Sequence, residues 1–216
     1  MTTPAAVVHV VDDDEAVQDS LRLLLDAAGF AVRAHASAEA LLSAGPTLPG
    51  CVLTDVRMPG MDGLELLRRL HAAAITVPVV VMTGHADVPM AVRAMQAGAL
   101  NFLEKPFSDE ALFAAVRAAL DESRRTAEAR AQSEKASVRI AGLTPREREV
   151  FDLLVEGLPT KAIARALGAS PRTIEVHRGR VMEKLAAHSL PELVRLALAA
   201  QGKPISSHST MSVEKE

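Results

Sequence analysis

The chain has no tryptophan and no tyrosine, and only five phenylalanines among its 216 residues. A hydrophobic core must therefore be built mostly from alanine, valine, leucine and isoleucine. The single cysteine, Cys51, excludes a disulfide framework and is typical of a reducing compartment. The sequence also lacks an N-terminal basic region followed by an apolar run, and it has no apolar stretch of membrane-spanning length. We therefore expect neither a signal peptide nor a transmembrane helix.

Charge is distributed unevenly along the chain, although the formal net charge is only −3. Residues 1–120 carry 8 lysines and arginines against 14 aspartates and glutamates, a net of −6. Residues 140–203 carry 10 against 7, a net of +3. An acidic front half and a basic rear half suggest separate partners. Ordinary variation between two solvated surfaces explains these numbers equally well, so charge alone does not show whether the two halves have separate partners.

Strand-like and helix-like patterns alternate five times over residues 1–120. The apolar runs lie at 7–11, 31–34, 51–54, 79–82 and 100–104, and the helical patterns at 15–28, 37–44, 63–73, 87–97 and 108–120. Strands that alternate with helices predict a parallel sheet covered by helices on both faces. Ser37, Asp62 and Ser108 are candidate N-caps, and Gly29 and Gly98 stand where helices should end.

The pattern changes after residue 120. Residues 121–139 favour a helix by composition but carry no apolar stripe, which predicts a solvated helical or flexible linker. From residue 143 four short helical segments follow, with capping sequences at Thr144 and Ser189. The expected organisation is an α/β domain at 1–122, a linker at 123–140, an all-helical domain at 141–202 and a polar tail at 203–216.

Acidic residues and one lysine lie where three of the predicted strands end. Asp12 and Asp13 follow the first apolar run, Asp55 follows the third, and Lys105 follows the fifth. The carboxyl ends of parallel strands meet at one edge of a sheet, where such sheets bind ligands. Asp13, Asp55 and the backbone carbonyl of Arg57 are candidate ligands for Mg²⁺, with Asp12 adding charge behind them.

The same strand tips offer the groups that phosphoryl transfer needs. Asp55 is the candidate nucleophile, which would form an acyl phosphate. Lys105 would pair with a phosphoryl oxygen, and Thr83 would offer a hydroxyl. Taken singly, an aspartate at a strand end is often a cap or turn residue, and Lys105 is explained as a surface lysine. The coincidence of these residues at alternate strand tips favours a site.

Four segments, VDDD at 11–14, DVRMPGMDG at 55–63, VMTGH at 81–85 and EKPF at 104–107, resemble response-regulator receiver domains in order and spacing. Residues 83–92 resemble the FixJ-type subgroup. The resemblance implies a flavodoxin-like five-stranded parallel sheet, phosphorylation of Asp55 by a histidine kinase with Mg²⁺, and a cis peptide bond between Lys105 and Pro106. It also implies that Phe102 is a switch aromatic, although simple core packing is an alternative, and it leaves the role of His85 open.

Residues 171–186 have two faces at helical spacing. Ile174, Val181 and Leu185 fall on one face and should pack inward. The opposite face and the preceding segment carry the residues that we predict to contact DNA. The predicted contacts with base edges are made by Glu175, Val176 and Gly179. The predicted contacts with phosphates are made by Lys161, Arg172, Thr173 and Lys184, and Arg178 could contact either. From the pattern alone, a solvated face of a small helical bundle is an equal explanation.

Three further segments, LTPREREV at 143–150, KAIA at 161–164 and SPRTIEVHR at 170–178, resemble the LuxR/NarL-type helix-turn-helix domain. Together the halves resemble a FixJ-type transcription regulator along nearly the whole chain. The resemblance implies a cytoplasmic, non-enzymatic regulator that a histidine kinase activates by phosphorylation. It also implies a phosphorylation-dependent homodimer that binds double-stranded operator DNA and contacts RNA polymerase, with no association with a membrane.

Three other functions remain as alternatives. A Mg²⁺-dependent phosphatase would use Asp55 as its nucleophile, but the four C-terminal helices offer no substrate-binding cap. A DNA-binding protein controlled without phosphorylation would not need the acidic set with Thr83 and Lys105. RNA binding would favour aromatic stacking residues, which the helical half lacks. The sequence does not name the kinase, the stimulus, the operator or the target genes, and it does not separate activation from repression or fix the phosphoryl lifetime.

Overall fold

The computed structural model describes residues 6–45, 47–84 and 88–202. His85 and the predicted polar tail 203–216 fall outside these residues. The chain divides into two compact units, with the boundary between Thr126 and Ala127. This boundary lies within the predicted linker 123–140.

A five-stranded, wholly parallel sheet forms the centre of the N-terminal unit. Its strands are β1 (Val7–Val11), β2 (Ala31–His35), β3 (Gly50–Asp55), β4 (Val79–Thr83) and β5 (Asn101–Glu104). Their spatial order is β2-β1-β3-β4-β5, which confirms the predicted flavodoxin-like sheet. Every residue of β3 and β4 is buried, as expected for central strands of a sheet that helices cover on both faces.

The helices of this unit begin and end close to the predicted positions, with one exception. They are α1 (Glu15–Ala27), α2 (Ala38–Leu42), α3 (Gly63–Ala72), α4 (Val88–Gln96) and α5 (Asp109–Ala141). The hydroxyl of Ser37 and the carboxylate of Asp62 accept backbone N–H bonds at the first turns of α2 and α3. Gly29 and Gly98 have φ of 86° and 95°, so they end α1 and α4 in the left-handed conformation that glycine allows.

The exception is α5, which was expected to end near residue 120 and instead continues to Ala141. Its second half has few buried residues, so no apolar stripe marked it in the sequence. Helix-forming residues and ion pairs between neighbouring turns, such as Arg124–Asp121, support it instead. The structure therefore shows the helical alternative for this segment.

Two apolar clusters cover the opposite faces of the sheet, because successive side chains of a strand point to opposite sides. Val11 and Val52 belong to the cluster under α2, α3 and α4. Val10 and Leu53 belong to the cluster under α1 and α5. This arrangement leaves the carboxyl ends of the strands uncovered, which is where the predicted site lies.

Two histidines meet inside the N-terminal unit. His9 on β1 is 2% exposed, and its Nδ1 lies 3.1 Å from Nε2 of His35 at the end of β2. Burial, followed by the charges of His35 and Arg33, lowers the pKa of His9 from 6.5 to about 4. Burial and the charge of Arg33 also lower the pKa of His35. Both side chains are therefore held in a site that favours their neutral forms.

Four short helices pack around one core in the C-terminal unit. They are α6 (Pro145–Val155), α7 (Thr160–Ala166), α8 (Pro171–Lys184) and α9 (Leu190–Ala200). Ile174, Val181 and Leu185 are fully buried in this core, which confirms the predicted inward face of α8. In the part of the chain that the structure describes, no helix is both long and apolar enough to cross a membrane.

Candidate functional site

The carboxyl edge of the sheet brings together three of the residues predicted from the strand ends. Lys105 Nζ donates to Asp55 Oδ1 at 2.7 Å and to Asp12 Oδ2 at 2.9 Å. Lys105 is 50 positions from Asp55 and 93 positions from Asp12 in the sequence. The carboxyl ends of β1, β3 and β5, which lie at the same edge of the sheet, bring the three residues together. The peptide bond between Lys105 and Pro106 is cis, as the resemblance implied.

Asp55 is the centre of this group. Its residue exposure is 8%, and its second oxygen, Oδ2, accepts the backbone N–H of Arg57 at 2.6 Å. Gly63, the first residue of α3, lies so close that an added Cβ would be 2.2 Å from the backbone carbonyl oxygen of Asp55. The absence of a side chain at Gly63 thus allows α3 to begin directly against the end of β3.

The charge of Lys105 is retained in spite of its partial burial. Burial would lower the pKa of Lys105, but the hydrogen bonds and the charges of Asp55 and Asp12 outweigh burial and raise it. A lysine whose pKa is raised by two carboxylates stays cationic at neutral pH. It therefore offers a fixed positive charge at the mouth of the site.

Asp13 differs from its neighbour Asp12. Asp12 is buried, and its Oδ1 accepts the backbone N–H of Asp14. Asp13 is exposed, and among residues 6–45, 47–84 and 88–202 its carboxylate has neither a hydrogen-bond nor an ion-pair partner. Over the same ranges, no group of three or more His, Cys, Asp or Glu side chains is placed to hold a metal ion.

The two residues predicted to respond to a phosphoryl group lie on neighbouring strands. Thr83 is buried at the end of β4. Phe102 on β5 is partly buried and packs against the apolar cluster under α4. Phe102 therefore contributes to core packing. Its role as a side chain that responds to phosphorylation stays a prediction.

The residues predicted to meet DNA lie on α7 and α8. Seven of them are exposed and Arg178 is half-buried; the exposed ones are Lys161, Arg172, Thr173, Glu175, Val176, Gly179 and Lys184. Val176 is 51% exposed on the outer face of α8. An added Cβ at Gly179 would meet no atom within 4 Å. The outer face of α8 is thus open at Val176 and Gly179.

Lys184 is engaged within the domain, which the sequence did not indicate. Its Nζ donates to Glu147 Oε2 at 2.6 Å, and the same oxygen accepts the backbone N–H of Thr144. Hydrogen bonds from Lys184 and Thr144 lower the pKa of Glu147 to about 2. The capping box Thr144–Glu147 was visible in the sequence, but its partner on α8 was not, because it lies 37 residues away. A phosphate contact by Lys184 stays a prediction, and it would compete with this ion pair.

Two family models cover most of the chain. The model for the response regulator receiver domain matches residues 8–117. The model for bacterial regulatory proteins of the luxR family matches residues 141–197. The first match contains the sheet except for Val7, together with Asp12, Asp55 and Lys105, and the second contains α6, α7 and α8.

Known proteins show the same two-part organisation. The transcriptional regulatory protein FixJ of Azorhizobium caulinodans is 55% identical over 198 residues, which is 91% of this chain and 94% of that protein. The solved structure of full-length FixJ from B. japonicum is 50% identical with a TM-score of 0.56, covering 92% of this chain and 98% of that one. The response regulator StyR is 42% identical with a TM-score of 0.78, covering 89% and 98%.

The similarity extends over both units and is not confined to one of them. A receiver domain followed by a luxR-type DNA-binding domain is the organisation of a phosphorylation-activated transcription regulator. The chain belongs to the response regulators of two-component systems, in the FixJ-like group that joins a receiver domain to a LuxR-type helix-turn-helix domain.

Proposed function

We propose that Asp55 accepts a phosphoryl group from a histidine kinase and that this controls binding of the chain, as a dimer, to operator DNA. The observation that carries the proposal is the position of the Asp55 carboxylate. Lys105 Nζ and the Arg57 N–H hold its two oxygens at the carboxyl edge of the sheet. A buried carboxylate that is fixed in orientation and lies beside a permanent cation suits nucleophilic attack on phosphorus.

The groups at this edge fit a magnesium ion. Asp12, Asp13 and Asp55 carry three formal negative charges against the single positive charge of Lys105. Mg²⁺ prefers oxygen ligands, uses one or two protein carboxylates and keeps several waters. We assign Asp13, Asp55 and the backbone carbonyl of Arg57 as its ligands, with Asp12 adding negative charge behind them. When bound, the ion would neutralise charge on the transferring phosphoryl group.

The transfer itself needs little from the protein beyond position and charge. An oxygen of Asp55 forms a bond to phosphorus while the bond from phosphorus to the kinase histidine nitrogen breaks. Lys105 then offers its ammonium to a phosphoryl oxygen, and Thr83 offers its hydroxyl to another. Asp55 modifies only itself, so we assign the chain no turnover of a small substrate and no separate enzymatic activity.

The surface formed by α4 and β5 is the proposed site of dimerisation. Val92 and Met95 on α4 are 46% and 51% exposed, and Leu100 before β5 is also exposed. Arg93 and Glu104 on the same elements are exposed and carry opposite charges. Phe102 lies on β5, three residues before Lys105, and packs against the apolar cluster under α4, so its repacking would connect the phosphoryl site with this surface.

Charge reversal at Arg93 is expected to prevent dimerisation while leaving phosphorylation intact. In a two-fold symmetric dimer the same patch is used twice, so Arg93→Glu would place two new acids in one interface that already contains Glu104. Light scattering before and after treatment with acetyl phosphate and Mg²⁺ measures the mass. The matched control is Arg22→Glu on α1, which should dimerise like the wild type. Equal dimerisation of both variants would contradict this choice of surface.

The exposed face of α8 is the proposed reading surface for DNA. Glu175, Val176 and Gly179 are assigned to base edges in the major groove, and Lys161, Arg172 and Thr173 to phosphates. Paired domains in a dimer would engage two half-sites. We further propose that the bound dimer contacts RNA polymerase and that the chain works in the cytoplasm, where DNA and the kinase are accessible. The similarity to FixJ does not assign a stimulus or a set of target genes.

Two substitutions are expected to affect DNA binding in different ways. Glu175→Ala should relax the preference at one position of each half-site by about 1–3 kcal/mol, because a carboxylate accepts from the amino group of cytosine. Lys161→Ala should weaken binding to all sequences equally and reduce the salt dependence, because a phosphate contact carries no sequence information.

Selection from a random library of DNA duplexes, combined with salt titration of the selected duplex, measures both effects. The orientation of α8 proposed above would be refuted if Lys161→Ala changed the selected sequence and Glu175→Ala did not.

A further inference from the structure

A hydrogen bond connects the first residue of α7 with the proposed reading face of α8. The hydroxyl of Thr160 donates to Oε1 of Glu175 at 2.7 Å, although the residues are 15 positions apart. Thr160 is half-buried and Glu175 is exposed. The side chain with the largest proposed role in base recognition is thus held by a residue outside the recognition helix.

The position of Thr160 is fixed by the fold. The residue before it, Pro159, occupies the N-cap of α7 and makes no side-chain capping bond. Buried Ile163 and Ala164 on α7 belong to the same apolar core as Ile174 on α8, immediately before Glu175. Because this packing holds the two helices together, Thr160 stays close to Glu175.

Glu175 has no competing partner of opposite charge. Across the residues that the structure describes, no lysine or arginine lies within ion-pair distance of its carboxylate, although Arg172 and Arg178 are each three positions away. Only Oε1 is engaged with Thr160. Oε2 is left to accept a hydrogen bond from outside the protein, such as one from the exocyclic amino group of a cytosine.

We infer that Thr160 is a positioning residue for sequence recognition: it fixes the Glu175 carboxylate so that Oε2 faces the base edge. This inference rests on the proposed role of Glu175 in reading DNA. An exposed glutamate samples many rotamers, and ordering it on binding costs entropy. The bond from Thr160 removes part of this cost before DNA arrives. It strengthens when the docked duplex excludes water, because hydrogen bonds are stronger at low dielectric.

The test compares the full chain, treated with acetyl phosphate and Mg²⁺, with Thr160→Val, Thr160→Ser and Glu175→Ala in selection from a random duplex library. Thr160→Val keeps the shape but loses the hydroxyl. It should reduce the preference about 2- to 10-fold at the position affected by Glu175→Ala, as expected for one hydrogen bond. Other positions should keep their preference, and Thr160→Ser should behave like the wild type.

A double variant identifies whether Thr160 acts through Glu175. In the Glu175→Ala background, Thr160→Val should cause no further loss of preference. Thr144→Val is the structural control, because it removes a hydroxyl that caps α6 away from the reading face. It should lower the unfolding temperature and leave the preference unchanged.

Three results would overturn the inference. Unchanged preference in Thr160→Val would show that the hydroxyl does not orient Glu175. Equal weakening for all duplexes, with reduced salt dependence, would show that Thr160 contacts a phosphate. Loss at every position together with a lower unfolding temperature would show a structural role. If the wild type itself selects no sequence, the proposed recognition of DNA fails together with the inference. If the wild type selects a sequence and one of the three results above is obtained, only the role of Thr160 fails.

Discussion

Replacing Asp55 with asparagine is expected to abolish phosphorylation of the chain by acetyl phosphate. Asparagine keeps the size of the side chain but supplies an amide in place of the carboxylate oxygen that attacks phosphorus. In the presence of Mg²⁺ the wild type should gain one phosphoryl group, and the adduct should be stable in acid and labile in base. Mass spectrometry of the intact protein and of its peptides measures the gain and its position.

Two variants give this experiment its controls. Asp62→Asn makes the same chemical change seven residues away, where asparagine also caps a helix, and it should label fully. Asp13→Ala should label slowly and recover as Mg²⁺ is raised, because it removes one proposed ligand of the ion. Full labelling of Asp55→Asn would refute the assignment of the phosphoacceptor.

Acidification is expected to destabilise the N-terminal unit by about 3 kcal/mol through His9 alone, since one pKa unit corresponds to about 1.4 kcal/mol. The pKa of His9 is 6.5 in an unfolded chain and about 4 in the folded unit. Between these values the unfolded chain binds more protons than the folded one. The free energy of unfolding therefore falls as the pH decreases from 6.5 to 4, and the destabilisation reaches its full size below pH 4.

Hydrogen exchange measured by mass spectrometry can follow this loss in peptides from β1 and β2. The absence of tryptophan and tyrosine excludes the usual intrinsic fluorescence probes. His9→Gln should reduce the pH dependence in this window, with the part due to His35 remaining, and the exposed His71→Gln on α3 should leave it unchanged. Protonation of Glu147 would destabilise the C-terminal unit instead. It occurs at lower pH, because the pKa of Glu147 is about 2 and so lies below the usual 4.5. An identical pH dependence in wild type and His9→Gln would contradict the explanation.

The sequence predicted most elements of the fold because their patterns are local. An apolar run such as 79–82 with no polar alternation describes a strand that is buried on both faces, and β4 is such a strand. Ser37 and Asp62 marked helix starts through bonds to residues three positions away. The second half of α5 had no such signal, because an exposed helix can be held by propensity and ion pairs alone.

The residues of the candidate site could be predicted where the parallel sheet alone brings them together. Parallel strands bring their ends to one edge, so Asp12, Asp55 and Lys105 had to lie near one another once the sheet was inferred. Contacts between distant side chains were not predictable in this way. The pairs Glu147–Lys184 and His9–His35 join residues 37 and 26 positions apart, and their contact depends on how helices and strands pack.

Gly179 has a consequence for how operator recognition can diverge among relatives. The space around it is open, and its backbone is not among those with positive φ, so the fold does not require glycine there. Any other residue except proline would add helix propensity, by about 1 kcal/mol for alanine. In the orientation of α8 proposed above, a new side chain at this position would reach toward the groove without destabilising the fold. A change in DNA sequence preference can therefore arise there in a single mutational step, without a second substitution to restore stability.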